Sequence, residues 1–494
     1  MVYLVTMIRW LVLLPLVLGA VETKTLYNSL DPGSLTQALS FYELYPESDE
    51  GKAALQRASH LLTGSVEALS GSLARLVHRG NSSSLSESEV VAIENLAAHL
   101  PNRKLKGYMA QSEKEILALP SEEIDLGRAL LLSQLDGEED AAQTTRAYSA
   151  KLDLIALQIR SKLPPKATPE QKIRATNHYI FEEMHFRFPP QSRYSKEIDL
   201  YTFLPSVMDN HLGVCLGVSN LYLAIAQRLD LPLEVITPPG HIYVRYRDGE
   251  EITNIETTAR GVDVPNERYL GVNTRKLKER TVKETIGMTH FNQASVFLHN
   301  ESFEKAVKSY EKAKLYMPDD LLVKELLGYS YLFVGKEELG KPLLEEVREL
   351  LPEESVTKEN MAADYLEGRV DKEGIRAIFM EVDETRSSIL EKQKRITQVL
   401  ENYPNFQAGW HQLAVSWLQL HRFKEATTAL KQFHELNSND PVAEYYLAIL
   451  HGERRDFPSA WKYLKNAEAI TQKRDFSPKA LRELRRELIL HCPE

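Results

Sequence analysis

Residues 213–261 read GVCLGVSNLYLAIAQRLDLPLEVITPPGHIYVRYRDGEEITNIETTARG. Three reactive side chains stand in this stretch: Cys215, His241 and Glu256. From Leu216 to Leu229 apolar residues return at helical spacing, at Val218, Leu221, Tyr222, Ile225, Ala226 and Leu229. Asp230-Leu231-Pro232 ends that helix, because proline disfavours helical geometry in the residue before it and brings no N–H of its own. Gly213 allows a tight entry, which puts Cys215 at the helix N-terminus. The backbone N–H groups and dipole there favour an anionic sulfur and are placed to hold an oxyanion.

Two strand-like runs follow, Ile242 to Arg247 and Glu251 to Thr257, with Asp248-Gly249 between them as a two-residue hairpin signal. With those two residues as the turn, counting outward equally on both strands sets His241 opposite Glu256. Directly opposed residues share a face, their Cβ atoms about 5 Å apart. A carboxylate there accepts the imidazole proton and fixes the tautomer, leaving the other ring nitrogen for Cys215. A loop one residue longer would turn one side chain to the other face. His211, Cys215, His241 and Glu256 are also residue types that ligate zinc. Gly213, between His211 and Cys215, argues against one helix presenting both.

A helix-starting cysteine, then Pro239-Gly240-His241 opening a strand, then an acid on the next strand resembles the transglutaminase-like superfamily, which shares Cys-His-Asp/Glu chemistry with papain-like proteases. The closer resemblance is to bacterial proteins that join such a core to tetratricopeptide repeats. It is carried by GVCLGVSNLYLAIAQRLDLPL, PPGHIYVRY and NIETTARG, and upstream by EIDLGRALLLSQLDG, the segment around Leu152-Asp153-Leu154-Ile155-Ala156, and NHYIFEEMHFRF. It covers roughly residues 117–285 and the repeats beyond. Glu256 stands where many members of the wider superfamily carry Asp. The resemblance implies acyl transfer: Cys215 as nucleophile, His241 as general base and then acid, and Glu256 as the residue that orients His241.

The repeats are visible in their own right. Ala294, Ala306, Tyr310, Ala313 and Pro318 have counterparts at Gly328, Gly340, Leu344, Val347 and Pro352. The spacing is about 34 residues, the tetratricopeptide length. Ala414, Ala426 and Phe433 match Ala448, Ala460 and Ala467 at the same spacing. Small residues recur where two antiparallel helices touch, and four clear units are enough for a solenoid to bury a continuous core. Residues 353–405 match poorly, with Pro404 in register as the end of a degenerate unit.

Residues 1–20 are apolar with Arg9 as their one charge, and Leu18-Gly19-Ala20 precedes a plausible cleavage point. This reads as a signal peptide or N-terminal anchor, and a cleaved signal would make the protein exported, periplasmic or secreted. A net charge of −10 without a basic, aromatic-rich patch argues against nucleic acid. Two cysteines, Cys215 and Cys492, make no disulfide framework. Arg79 to Ser84 reads as a loop with a glycosylation sequon at Asn81. Ser86 and Glu89 then have capping-box spacing before a helix to about Leu100.

The reading is therefore α+β. Residues 1–20 are the signal or anchor and 21–116 a helical N-terminal region. Residues 117–285 are a papain-like, transglutaminase-like core with a small antiparallel sheet. Residues 286–476 form a tetratricopeptide α-solenoid, and 477–494 a capping helix. The expected function is a cysteine hydrolase or acyltransferase of peptidase or amidase type, using Cys215, His241 and Glu256, with no cofactor or metal. The repeats would recruit the protein or peptide partner. The alternative is a non-catalytic interaction scaffold around an inactive core, which a buried Cys215 or an averted His241 would favour.

Overall fold

The computed structural model describes residues 23–63, 85–189, 197–383 and 385–493. The expected signal segment at 1–20 and the expected 79–84 loop with its Asn81 sequon lie outside them. Among the described residues no helix is long and apolar enough to cross a membrane. The chain divides into two compact units: the chain up to His99 together with Asp153–Ala175, and Leu100–Leu152 together with Thr176–Glu494.

In the first unit, helices Leu35–Leu44 and Asp49–Thr63 pair. Ser34 caps the first of these helices by accepting from the Gln37 N–H. The helix Glu87–Leu96 opens on the expected capping box, the Ser86 N–H donating to Glu89 at 2.7 Å.

The second unit holds one sheet and the helical array. The strands are β1 (Glu234–Thr237), β2 (Tyr243–Asp248), β3 (Glu251–Ile255) and β4 (Lys278–Arg280), all antiparallel in the order β3-β2-β1-β4. The β2–β3 hairpin was expected, but β1 and β4 were not. β1 carries a short β-branched run just after Pro232. β4 reads Lys-Glu-Arg, and only its pairing with β1 makes it a strand.

The cysteine helix runs Cys215–Arg228. Its end is a Schellman closure: Asp230 sits in the left-handed region at φ 53, and the Leu231 N–H donates back to Ala226 O at 3.0 Å. A fully buried ion pair ties the C-terminal end of this helix to the unit. Arg228 lies 3.7 Å from Asp125, and its guanidinium also donates to Ala224 O at 2.9 Å. Asp125 in turn caps the helix Leu126–Gln134 through the Arg128 N–H and accepts from Asn102. Gly127 lets the two helices close up, since a Cβ there would stand 3.3 Å from that of Ala224.

From Val282 onward helices come in antiparallel pairs: Val282–His299 with Phe303–Tyr316, Leu321–Phe333 with Glu337–Val347, Gln407–Gln419 with Phe423–Leu436, and Pro441–Glu453 with Phe457–Gln472. The residues aligned by the sequence period are the contact points. Ala294, Ala306, Ala414, Ala426, Ala448 and Ala460 are all fully buried. In the degenerate stretch the chain turns at Gly368 (φ 74) between Met361–Leu366 and Lys372–Phe379. A long helix, Arg386–Asn402, then ends just before Pro404. The last helix, Lys479–His491, packs Leu481, Leu484 and Leu488 on Ala460, Trp461 and Leu464.

Residues 262–276 lie between β3 and β4 and form a strap on the array. Thr274 makes an antiparallel bridge to Ser355, and Val272 is buried in the apolar cluster of the last helices.

Gly328 and Gly340 meet so closely that a Cβ on Gly340 would stand 2.7 Å from Gly328 O. Gly340→Ala is expected to overpack that pair and destabilise the array by about 1–3 kcal/mol. A chemical-denaturation midpoint at or above that of the wild type would contradict this packing.

Candidate active site

The cysteine helix starts where the sequence indicated. Val214 is its N-cap and Cys215 its first residue, so the N–H groups of the first turn have no carbonyl one turn back. Two close approaches hold this end. The Val214 N–H donates to Tyr201 O at 2.9 Å, and a Cβ on Gly217 would stand 2.3 Å from the same oxygen. Residues 187 and 212 bridge in parallel, with the Gly213 N–H donating to Arg187 O. Cys215 is a half-buried free thiol, and Cys492 is free as well.

The hairpin differs from expectation by one step. Asp248 pairs with Glu251 and Val244 with Ile255, so the turn is Gly249-Glu250, with Gly249 at φ 58. A glycine at the first turn position with positive φ suits the hairpin twist better than Asp248 would. The turn keeps two residues, so sliding it along by one displaces each cross-strand partner by two. Side chains alternate with period 2, and an even displacement preserves the face. His241 is therefore diagonal to Glu256 rather than directly opposite, and both precede or follow their strands. The contact survives: His241 Nε2 lies 2.7 Å from Glu256 Oε2 and donates to it. That leaves Nδ1 as the ring nitrogen for Cys215.

Glu256 is 5% exposed and its acceptor sites are well supplied. Besides His241, it accepts from the Thr258 N–H at 3.0 Å, the Thr258 hydroxyl and the Tyr269 hydroxyl. Burial alone would raise its pKa. The hydrogen bonds from His241, Thr258 and Tyr269 outweigh burial and bring it down to about 2. For His241, burial works against the charged ring, yet hydrogen bonding and charge from Cys215 and Glu256 raise its pKa to about 10. Ser219, one helical turn after Cys215, meets the Thr257 hydroxyl at 3.0 Å and ties the cysteine helix to the turn that carries Glu256.

Residues 146–269 match the family model described as the transglutaminase-like superfamily. This segment is a transglutaminase-like domain. The matched span falls inside the 117–285 stretch that carried the resemblance. A UPF0162 protein of Xylella fastidiosa (strain 9a5c) is 21% identical over 211 residues, covering 39% of this chain and 73% of that one. F-box only protein 21 of Mus musculus is 27% identical over 81 residues, 16% of this chain and 12% of that protein. Among solved structures, MamA from MSR-1 is 17% identical with a TM-score of 0.21, covering 38% of this chain and 97% of that one. A tetratricopeptide repeat protein from Parabacteroides merdae is 12% identical with a TM-score of 0.23, covering 42% and 71%. At those scores the repeats rest on the helix pairs described above.

Within the transglutaminase-like domain, His211 takes no part in the cluster. It ends the helix Leu204–Asn210 in a left-handed conformation (φ 54) and stacks on Phe186 at 4.8 Å. Among the described residues no group of three or more His, Cys, Asp or Glu is placed to share a metal ion. Three contributors escaped the sequence reading: Ser219, Thr258 and Tyr269. Thr258 had a local cue, being two residues beyond a turn-capping acid. Tyr269 had none, because nothing near it in sequence points to Glu256.

The pair leaves a signature in stability against pH. Glu256, whose pKa is lowered from 4.5, stabilises the fold above about 4.5 and loses this as pH falls toward 2. His241, whose pKa is raised from 6.5, stabilises fully below 6.5 and loses this as pH climbs toward 10. The thermal midpoint of the wild type minus that of Glu256→Gln should therefore be greatest between those ordinary values, 4.5 and 6.5, and shrink on either side. A difference that is flat from pH 3 to pH 9 would mean the two groups are not paired in solution.

Proposed function

We propose that this protein is a transglutaminase-like cysteine hydrolase or acyltransferase, acting on a protein or peptide recruited by its helical repeats. The observation that carries this reading is the His241–Glu256 hydrogen bond, with the second ring nitrogen left for a thiol at a helix start.

In this mechanism the Cys215 proton passes to His241 Nδ1. The sulfur attacks the carbonyl carbon of an amide or ester, a C–S bond forms, and the carbonyl electron pair moves onto oxygen. The N–H of Cys215 and that of a neighbour in the first helical turn hold that oxyanion. As the tetrahedral species collapses, the amine or alcohol leaves with the proton from His241, and a thioester remains. Water or an amine then gives a proton to His241 and attacks the thioester, the C–S bond breaks, and the thiolate returns. Water as acceptor gives hydrolysis, the outcome we favour, and an amine gives transamidation. Glu256 stays ionised throughout and holds the ring in one tautomer.

The two fates of Cys215 separate by alkylation. In a Cys492→Ser background, Cys215 should react with iodoacetamide well below pH 8.5, the ordinary range of a free thiol. His241→Ala should slow that reaction at pH 6 by about tenfold or more. Sluggish labelling indifferent to His241 would defeat the catalytic reading and leave an interaction scaffold built on the same fold.

A further inference from the structure

Tyr269 packs directly against the reactive cluster, in the stretch of chain that runs from the sheet toward the repeats. Its hydroxyl donates to Glu256 Oε2, the same oxygen that accepts from His241. Its ring stacks on His241 (centroids 5.6 Å apart, planes at 19°) and on Tyr243 (4.8 Å, 19°). It thus forms an aromatic wall over the imidazole and closes the last acceptor site on the carboxylate. Burial, and then the bond to Glu256, push its phenol pKa up, so the hydroxyl remains a donor.

What holds Tyr269 in place is the strap, residues 262–276, which is fastened at both ends. On the sheet side, Asn266 Oδ1 accepts from Arg245, Asn254 and Tyr243 at 2.7, 2.8 and 3.1 Å. On the array side, the Arg275 N–H donates to Glu354 O at 2.9 Å, and its guanidinium reaches Glu353 O at 2.8 Å and Arg474 O at 3.4 Å. Asn273 binds the backbone of Thr357 in both directions. Arg275 therefore links the exit of the second repeat pair to the end of the last one, and the Arg474 guanidinium, donating to Ser355 O at 3.3 Å, reinforces that link.

We propose that Tyr269 is a positioning residue for His241 and Glu256, and that the repeat array holds it there through the strap. The array on this view completes the reactive site as well as recruiting its partner. This rests on the catalytic reading above. Without the ring, water reaches the His241–Glu256 bond and screens it, and the imidazolium that stabilises the sulfur anion weakens.

The test is the pH profile of Cys215 alkylation in the Cys492→Ser protein, read as the acid-side midpoint. Tyr269→Leu should move it upward by about one unit. Tyr269→Phe keeps the wall without the hydroxyl and should move it by less than half as much. Arg275→Ala, which loosens the strap away from the cluster, should move it in the same direction as Tyr269→Leu. Circular dichroism would establish that each variant is folded. An activated wild type with the Tyr269→Leu midpoint unmoved overturns the positioning role, and Phe as damaging as Leu overturns the part given to the ring wall. A displaced Tyr269→Leu with Arg275→Ala at the wild-type value overturns the array's part. A wild type with an ordinary midpoint overturns the catalytic reading itself, and this inference with it.

Discussion

The structure is arranged around one charged hydrogen bond, His241 to Glu256, held where water has little access. A bare carboxylate would be costly at 5% exposure, and the imidazole beside it, 24% exposed, would be only partly hydrated. Each is tolerable because the other is there, and because Thr258 and Tyr269 supply further donors to the carboxylate. The surrounding elements serve this pair. The hairpin sets the two side chains on one face, Ser219 fixes the acid-bearing turn to the cysteine helix, and the strap closes the remaining side.

The anchoring at the far end of the cysteine helix follows the same logic. Arg228 is fully buried and paired with Asp125, which is itself spent on a helix cap and on Asn102. Such a network contributes little net stability compared with apolar packing, but it accepts only one arrangement of its members. It fixes the helix in register, and so fixes where the thiol lies relative to a ring carried by a different element.

Much of this was legible in the chain because it depends on local chemistry. The cysteine helix, its proline stop, the hairpin and the 34-residue period each follow from short-range rules. The hairpin shows how such rules fail gently. Asp248-Gly249 looked like the turn, and the glycine took the first turn position instead, but an even displacement of partners kept His241 and Glu256 in contact. What sequence could not disclose was long-range. β4 is a strand only because β1 lies beside it, and Tyr269 meets Glu256 across a stretch of chain that is itself bound to the sheet at Asn266 and to residues 353 and 474 at Arg275.

The bond from Arg275 to Arg474 spans 199 residues of chain. A chain made from its N-terminus presents Cys215, His241 and Glu256 long before Arg474 exists. Up to that moment the strap lacks its farther anchor. On the strap's proposed role, the order of synthesis acts as a timer: the frame around His241 is complete only after the last repeat pair has emerged and folded.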